Sequence, residues 1–416
     1  MRIKTSLVSG AALGVMLACG LGVAAHAQDT TTTWRGAPQF ANDSLTFKVR
    51  GRVYIDAVSQ SVDRTGSGVD FDAFNTRLRT ARLGVEGTWN SQWAYKAEAS
   101  ISSGGGTTQW EDLTLEYKPT EFTSIVVGNF KTVSLEDITS SRYNTMMERG
   151  AFNDFINAGR VMNLQFKANG PNWTAGVAVS GDSLNNADVA TNVSTGSDET
   201  FGYNGRATFA PIVTDTTTLH LGVWGRYRDR GDQANFTYQV RNNTNYGARY
   251  TSTGAIGVSD KTIGLEAALL YKSFSLQSEY ARITADRAGT ASDVDLDGFY
   301  VTGSFFLTGE TRRYEANRGE FNRTRILNPL TAGGAGAWEV AVRYDSTDLT
   351  DVTGVATAGK YTAWTAGLNW YPHPYVRFMA NYSRSENDNP TLASGANREL
   401  NDVDVDTFQM RAQFDF

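Results

Sequence analysis

Phe408, Met410, Ala412, Phe414 and Phe416 are apolar and every residue between them is polar, so the end of the chain alternates without a miss. Successive side chains of a strand point to opposite faces, and this stretch predicts a strand with one oily and one wet face. The same period sets Leu45, Phe47, Val49, Gly51, Val53, Ile55 and Ala57 on one face, against Lys48, Arg50, Arg52, Tyr54 and Asp56 on the other. It returns in Trp93, Tyr95, Ala97, Ala99 and Ile101 against Lys96, Glu98 and Ser100, and in Leu113, Leu115 and Tyr117 against Asp112, Thr114, Glu116 and Lys118.

Several such runs are joined by turns too short for anything but a hairpin. Met162 to Ala168 meets Trp173 to Val179 across Asn169-Gly170-Pro171-Asn172. Ile263 to Tyr271 meets Phe274 to Tyr280 across Lys272-Ser273, and Trp364 to Trp370 meets Val376 to Tyr382 across Tyr371-Pro372-His373-Pro374. Longer polar stretches near 60–73, 182–200, 229–260, 284–298, 311–335 and 385–402 are expected to be external loops. Short turns alternating with polar loops, and aromatic strand ends such as Trp93, Trp173, Tyr227, Tyr271, Trp370 and Tyr382, suit a sheet with lipid outside and water inside.

The amino end points to export. Arg2 and Lys4 precede an apolar stretch from Leu7 to Ala25, and Ala25-His26-Ala27 has the small-x-small cleavage pattern, so residues 1–27 read as a cleaved signal peptide. The expected mature chain, 28–416, is one transmembrane domain. Its 389 residues, at the ~20 to 25 per strand and connection of porin-type barrels, give sixteen to eighteen antiparallel strands, with sixteen the choice. Cys19 is the only cysteine and leaves with the signal, so no disulfide is available. A barrel of that size encloses an aqueous channel.

Charge narrows the partners. The chain carries a formal net charge of −6, and removing Arg2 and Lys4 makes it more negative still, which argues against nucleic acid. What a permeating ion feels is the lining at close range, so the question is which face holds the cations.

Several blocks together resemble the phosphate-selective (O/P type) porins of bacterial outer membranes: Arg79-Thr80-Ala81-Arg82-Leu83-Gly84-Val85-Glu86-Gly87, Gly128-Asn129-Phe130-Lys131 through Ser134-Leu135-Glu136, Met147-Glu148-Arg149, Phe306 to Glu310, Gly336 to Glu339 with Arg343-Tyr344, and Gly367 to Tyr371. The resemblance implies a homotrimer of sixteen-stranded barrels in the outer membrane, in contact with lipid and lipopolysaccharide. It also implies a lumen in which an arginine ladder leads small anions, phosphate or polyphosphate, to a constriction built from Lys131 and Ser134 among others. Two positions depart from the family: Thr80 follows Arg79 where a second arginine is common, and Val133 stands where a proline is usual.

The residues themselves supply candidates for the ladder. Lys48, Arg50, Arg52, Arg206, Arg226, Arg228, Arg343, Arg377 and Arg411 all face away from the apolar set. Arg77 and Arg79 join them if a bulge near Thr80-Ala81 reconciles apolar Leu78 with the register of Leu83 and Val85. Guanidinium forks and ammonium groups suit phosphate, and several weak sites let it move where one deep site would stop it. A general or cation-tolerant porin is the alternative, with Asp56, Glu98, Asp112 and Glu116 offsetting the arginines. Arg312, Arg313, Arg318, Arg323 and Arg325 fall in the long loop after Thr308-Gly309-Glu310, where a merely solvated loop is the expectation for each, and gathering anions at the mouth or contacting lipopolysaccharide phosphates is the functional alternative.

Catalysis finds little support. His220 and His373 have no Cys or second His at ligand spacing, so neither an enzyme nor a metal or cofactor site is expected, and an adhesion scaffold remains a lesser option. Asp293-Val294-Asp295-Leu296-Asp297-Gly298 begins like a calcium loop but has Ser304 at the twelfth position, and reads as a solvated loop entering a strand. Ser103-Gly104-Gly105-Gly106 lacks the Lys of a phosphate loop.

Overall fold

The computed structural model describes residues 30–34, 36–65, 69–101, 108–185, 194–390 and 402–416. The expected signal peptide, and the glycine run after Ser103, lie outside them.

Sixteen antiparallel strands close into a barrel. They are β1 (Leu45–Arg64), β2 (Phe71–Trp89), β3 (Trp93–Ile101), β4 (Thr108–Tyr117), β5 (Thr123–Phe130), β6 (Val161–Gly170), β7 (Trp173–Ser180) and β8 (Phe201–Val213). The second half is β9 (Thr217–Asp229), β10 (Ser252–Tyr271), β11 (Phe274–Arg287), β12 (Val294–Phe306), β13 (Ala337–Asp348), β14 (Lys360–His373), β15 (Val376–Asp388) and β16 (Asp402–Asp415). The perfectly alternating final strand closes the sheet, with Met410 opposite Ala57 and Phe414 opposite Val53. Phe416 exchanges both backbone hydrogen bonds with Gly51, and a Cβ on Gly51 would stand 2.5 Å from the Phe416 ring, so the terminal aromatic needs glycine there. Closure leaves no open edge, the condition for putting backbone in hydrocarbon.

Phase was legible in the sequence. Leu221, Val223, Ile263, Leu265, Phe408 and Met410 are exposed on the outer surface, while their strand neighbours are buried toward the lumen. The bulge expected in β2 falls at Arg79: Thr80 opposes Tyr54 and Leu78 opposes Ile55, so the extra residue sits between them. One slipped residue puts Leu78 outside and brings Arg77, Arg79 and Arg82 to the lumen side.

Strand parity corrects one loop. The segment 307–336 joins β12 to β13 at the same end as the short turns Lys272-Ser273 and Pro374-Tyr375, which in outer-membrane barrels is the periplasmic end. It is not an external loop. It turns into the barrel as a two-stranded ribbon, Arg313–Glu315 with Glu320–Asn322, so its arginines are at the wrong end for lipopolysaccharide.

Two segments enter from the other end. Residues 131–160 carry two short helices, α1 (Leu135–Ile138) and α2 (Ala151–Phe155), and residues 236–250 follow them inward. Phe152, Phe155 and Ile156 pack with Trp224, Tyr238, Ile283, Leu296, Tyr300 and Tyr361 into a dry cluster against β9 to β14. Trp224 lies flat over Gly264, where a Cβ would come within 2.0 Å of the indole. Asp295, from the calcium-like sequence, is on β12 and pairs with Arg282 at 2.7 Å. Among the described residues no helix is long and apolar enough to cross a membrane.

Candidate functional site: the lumen and its constriction

Where the inward segments do not fill the lumen, a space lies against β1 to β8. It is a cavity of about 670 Å³. Strands β1 to β3 contribute Lys48, Arg50, Arg52, Arg82 and Lys96, because each sits on the face opposite the lipid-exposed set. The inward loop contributes Lys131, Arg142, Arg149 and Arg160. Lys118, Lys167, Arg206 and, from the periplasmic ribbon, Arg318 complete thirteen cations against five carboxylates in the lining. Like charges so close are tolerable only with compensation, and the structure shows where it comes from.

Glu98 of β3 is fully buried among four arginines. Its carboxylate lies 3.0 Å from Arg50, 3.1 Å from Arg52, and 3.5 Å from both Arg82 and Arg142. Around it, Glu86 holds Lys48 at 3.5 Å and pairs closely with Arg50. Arg160 reaches Glu111 at 2.7 Å and Asp112 at 2.6 Å. Arg52 also donates to the Ser141 hydroxyl at 2.7 Å, tying wall to loop.

Lys131 directly follows β5 and lines the cavity, paired with Asp137 of α1. Burial and the neighbouring Arg149 push its ammonium down to about 7, with Asp137 pulling it back up. Ser134, expected beside it, does something else: fully buried, its Oγ accepts the Asp137 amide at 3.3 Å and caps α1. It adopts φ 68°, a left-handed conformation that costs a residue with a Cβ about 1 kcal/mol. The serine shapes the loop and does not line the cavity.

The proposed ladder divides in two. Lys48, Arg50, Arg52 and Arg206 line the cavity. The others hold the inward segments. Arg343 donates to the Glu148 carbonyl at 3.0 Å, Arg377 to the Asn144 carbonyl at 2.7 Å, Arg411 to the Met147 carbonyl at 2.5 Å and Arg226 to the Ile156 carbonyl at 2.5 Å. Arg79 makes a two-pronged pair with Glu148 at 2.8 and 2.9 Å, and Arg228 pairs with Asp260 at 2.5 Å. Arg77 stacks on Tyr246, 4.5 Å from the ring centre. These side chains point inward and are engaged by other protein groups.

Arg82, Lys96, Lys118, Lys167, Arg142, Arg149 and Arg160 were absent from the candidates. Alternation already placed Lys96, Lys118 and Lys167 on the wet face. Arg149 stood in the block Met147-Glu148-Arg149 with no role assigned, and nothing in a single sequence marks Arg142 and Arg160, which sit in irregular chain. His220 is buried, with Nδ1 bonded to the Tyr314 hydroxyl and Nε2 3.6 Å from Glu266, an arrangement without a nucleophile. Among the described residues no cluster of three or more metal-ligating side chains occurs.

Residues 47–416 match the family model described as phosphate-selective porin O and P. An uncharacterised protein of Caulobacter vibrioides is 31% identical over 395 residues, spanning 93% of this chain and 77% of its own length. Porin O of Pseudomonas aeruginosa is 27% identical over 407 residues, spanning 89% of each. Among solved structures, the anion-selective porin from Comamonas acidovorans is superposable with a TM-score of 0.53 at 14% identity, over 89% of this chain and 100% of that one, a likeness of fold.

Proposed function

The chain belongs to the phosphate-selective porin O and P family and is an outer-membrane, anion-selective porin, and we propose that the anions it is built to carry are phosphate and polyphosphate. The observation behind this reading is the excess of cations in the cavity, thirteen against five carboxylates. Phosphate carries about −1.5 charge at neutral pH, and guanidinium forks hold it with charge-assisted hydrogen bonds. A path from Arg160 and Arg149 past Lys131 and Arg142 to Arg50, Arg52 and Lys48 offers several weak stations, as flux requires. Arg79, Arg226, Arg343, Arg377 and Arg411 support this path from behind, by fixing the loop that bears part of it, while Arg77 and Arg228 are engaged by Tyr246 and Asp260 outside that loop. Ser134 belongs with the loop-fixing arginines.

A general porin of weak preference is favoured by one observation, the carboxylates threaded through the same wall: Glu86, Glu98, Glu111 and Asp112 each touch a lining cation. The zero-current potential of refolded protein in a planar bilayer under a KCl gradient, followed by phosphate titration of the chloride current, separates the two. An anion-signed potential with block by millimolar phosphate is expected; a potential near zero without block would hand the function to the general porin.

We also propose the homotrimer. The outward faces of β3 to β6 carry Trp93, Leu115, Ile125, Val127, Leu164 and Phe166 in strands of only 8 to 10 residues, a low apolar wall suited to burial against another copy. Light scattering of the detergent-extracted protein checks the mass, and a monomer would remove this part.

A further inference from the structure

We propose that Glu279 and Arg312 are the two ends of a hydrogen-bonded relay that positions the constriction loop, so that the periplasmic-side connection 307–336 helps set the charge a permeating anion meets. This rests on the anion-pore reading.

Glu279 projects inward from β11 and is 1% exposed. Its carboxylate accepts the backbone N–H of Leu135 at 2.9 Å and of Glu136 at 2.7 Å, the first two amides of α1. It also accepts the Tyr300 hydroxyl at 2.8 Å. That hydroxyl in turn receives the side-chain amide of Gln277, and the Gln277 carbonyl accepts from Arg312 at 2.9 Å. Arg312 is 7% exposed, with its guanidinium 3.5 Å from the Phe321 ring centre. Neither charge has a salt-bridge partner among the described residues. Glu266, the cross-strand neighbour of Glu279, is taken by Arg206.

Every donor in this chain points from the cation toward the anion, so each bond polarises the next. Buried, separated charges are a poor way to gain stability, since well-packed apolar groups do as well. What the relay supplies is position. Fixing the amides of Leu135 and Glu136 fixes the first turn of α1, whose Asp137 pairs with Lys131, and whose carbonyls at Glu136, Asp137 and Thr139 accept from Arg149 at 2.8 to 3.1 Å. A second bond, from the Phe321 amide to the Thr139 hydroxyl at 3.3 Å, docks the ribbon on the end of that turn. Neither Glu279 nor Arg312 lines the cavity, so both act through Lys131 and Arg149.

The test uses opposite charges. Measured at pH 9, Glu279→Gln removes a negative charge from the lumen and Arg312→Gln a positive one, so bare electrostatics moves selectivity in opposite directions. A positioning relay moves it the same way. Zero-current potentials of the full-length variants in planar bilayers should show the anion-to-cation permeability ratio falling about twofold or more in both, with noisier open-channel current. Opposite shifts, or no shift in either, would overturn the relay. Tyr300→Phe alters no charge and should fall in the same direction by less; it decides the matter if the charge variants do not refold. Should the wild type lack an anion-signed potential, the pore reading fails by itself, and the noise still reports on the relay: raised in Tyr300→Phe it stands, unchanged it falls.

Discussion

Along β1 the inward side chains Lys48, Arg50 and Arg52 meet a cavity, whereas along β11 the inward Gln277, Glu279, Ala281 and Ile283 meet other protein. Both strands alternate, both show apolar residues to the lipid, and both belong to one closed sheet. The difference lies in what the connections bring inside. Residues 131–160 leave β5 and lie against the far wall, where Phe152, Phe155 and Ile156 each gain roughly 1.5–3 kcal/mol from burial. The loop's ion pairs, such as Arg343 with Glu136 and Arg142 with Glu98, are buried, and desolvation offsets most of their attraction, so apolar packing chooses the side on which the loop lies. Charge then decorates the side left open. The barrel is therefore asymmetric by design of its core, and selectivity is a property of one wall.

The largest effect should come from unmaking the dry wall. Phe152→Ala combined with Phe155→Ala removes two buried rings at about 3–5 kcal/mol each, enough to release the loop without opening the barrel. Single-channel conductance should rise at least twofold and size exclusion relax, while gel mobility of the folded form persists. An unchanged conductance would mean the loop is held from the wet side. Arg343→Gln is the polar counterpart: it leaves Asp345, 2.8 Å away, buried without a cation and with the Asn243 amide at 2.9 Å, and should cost about 3–5 kcal/mol in the same seat.

The sequence made the wall readable and left its contents hidden. Period two told which face Lys48, Arg52, Arg343 and Arg377 occupy, and all four do face inward. It could not tell that Arg343 and Arg377 would meet loop carbonyls, because what fills the lumen at a given height depends on chain far away. One sign was present. The inward residues of β11 include Ala281 and Ile283, and those of β10 include Ala268 and Leu270, apolar where water would want polar groups. The segment 311–335 misled for a related reason: polarity places a stretch outside hydrocarbon without saying at which end, and only the strand count settles that.

On the wet wall, single charges should matter less than packing but in a defined direction. Lys131→Gln with Arg142→Gln should lower the anion-to-cation permeability ratio about two- to fivefold per charge, the scale of roughly 1 kcal/mol between unit charges 4 Å apart in water. The same zero-current measurement on Arg377→Gln should move less, since that guanidinium does not line the cavity and is spent on the Asn144 carbonyl at 2.7 Å. Equal shifts would erase the distinction between the two sets. Glu98→Gln goes the other way. With the shared carboxylate gone, Arg50, Arg52, Arg82 and Arg142 would take phosphate in its place, and the chloride current should be blocked at about tenfold lower phosphate.

The smallest effect is a titration. Lys131 has its ammonium pushed down to about 7 by burial and by Arg149, so it is charged at pH 6 and largely neutral at pH 8. The cavity loses one positive charge as pH rises across that window, and the anion-to-cation ratio measured in chloride should decline with it. Phosphate gains charge over the same range, which is why chloride is the ion to use. Lys131→Arg keeps the cation at both pH values and should flatten the slope. A slope that survives the arginine would move the titration to some other group on the wet wall, and would mean that Asp137 holds Lys131 charged throughout.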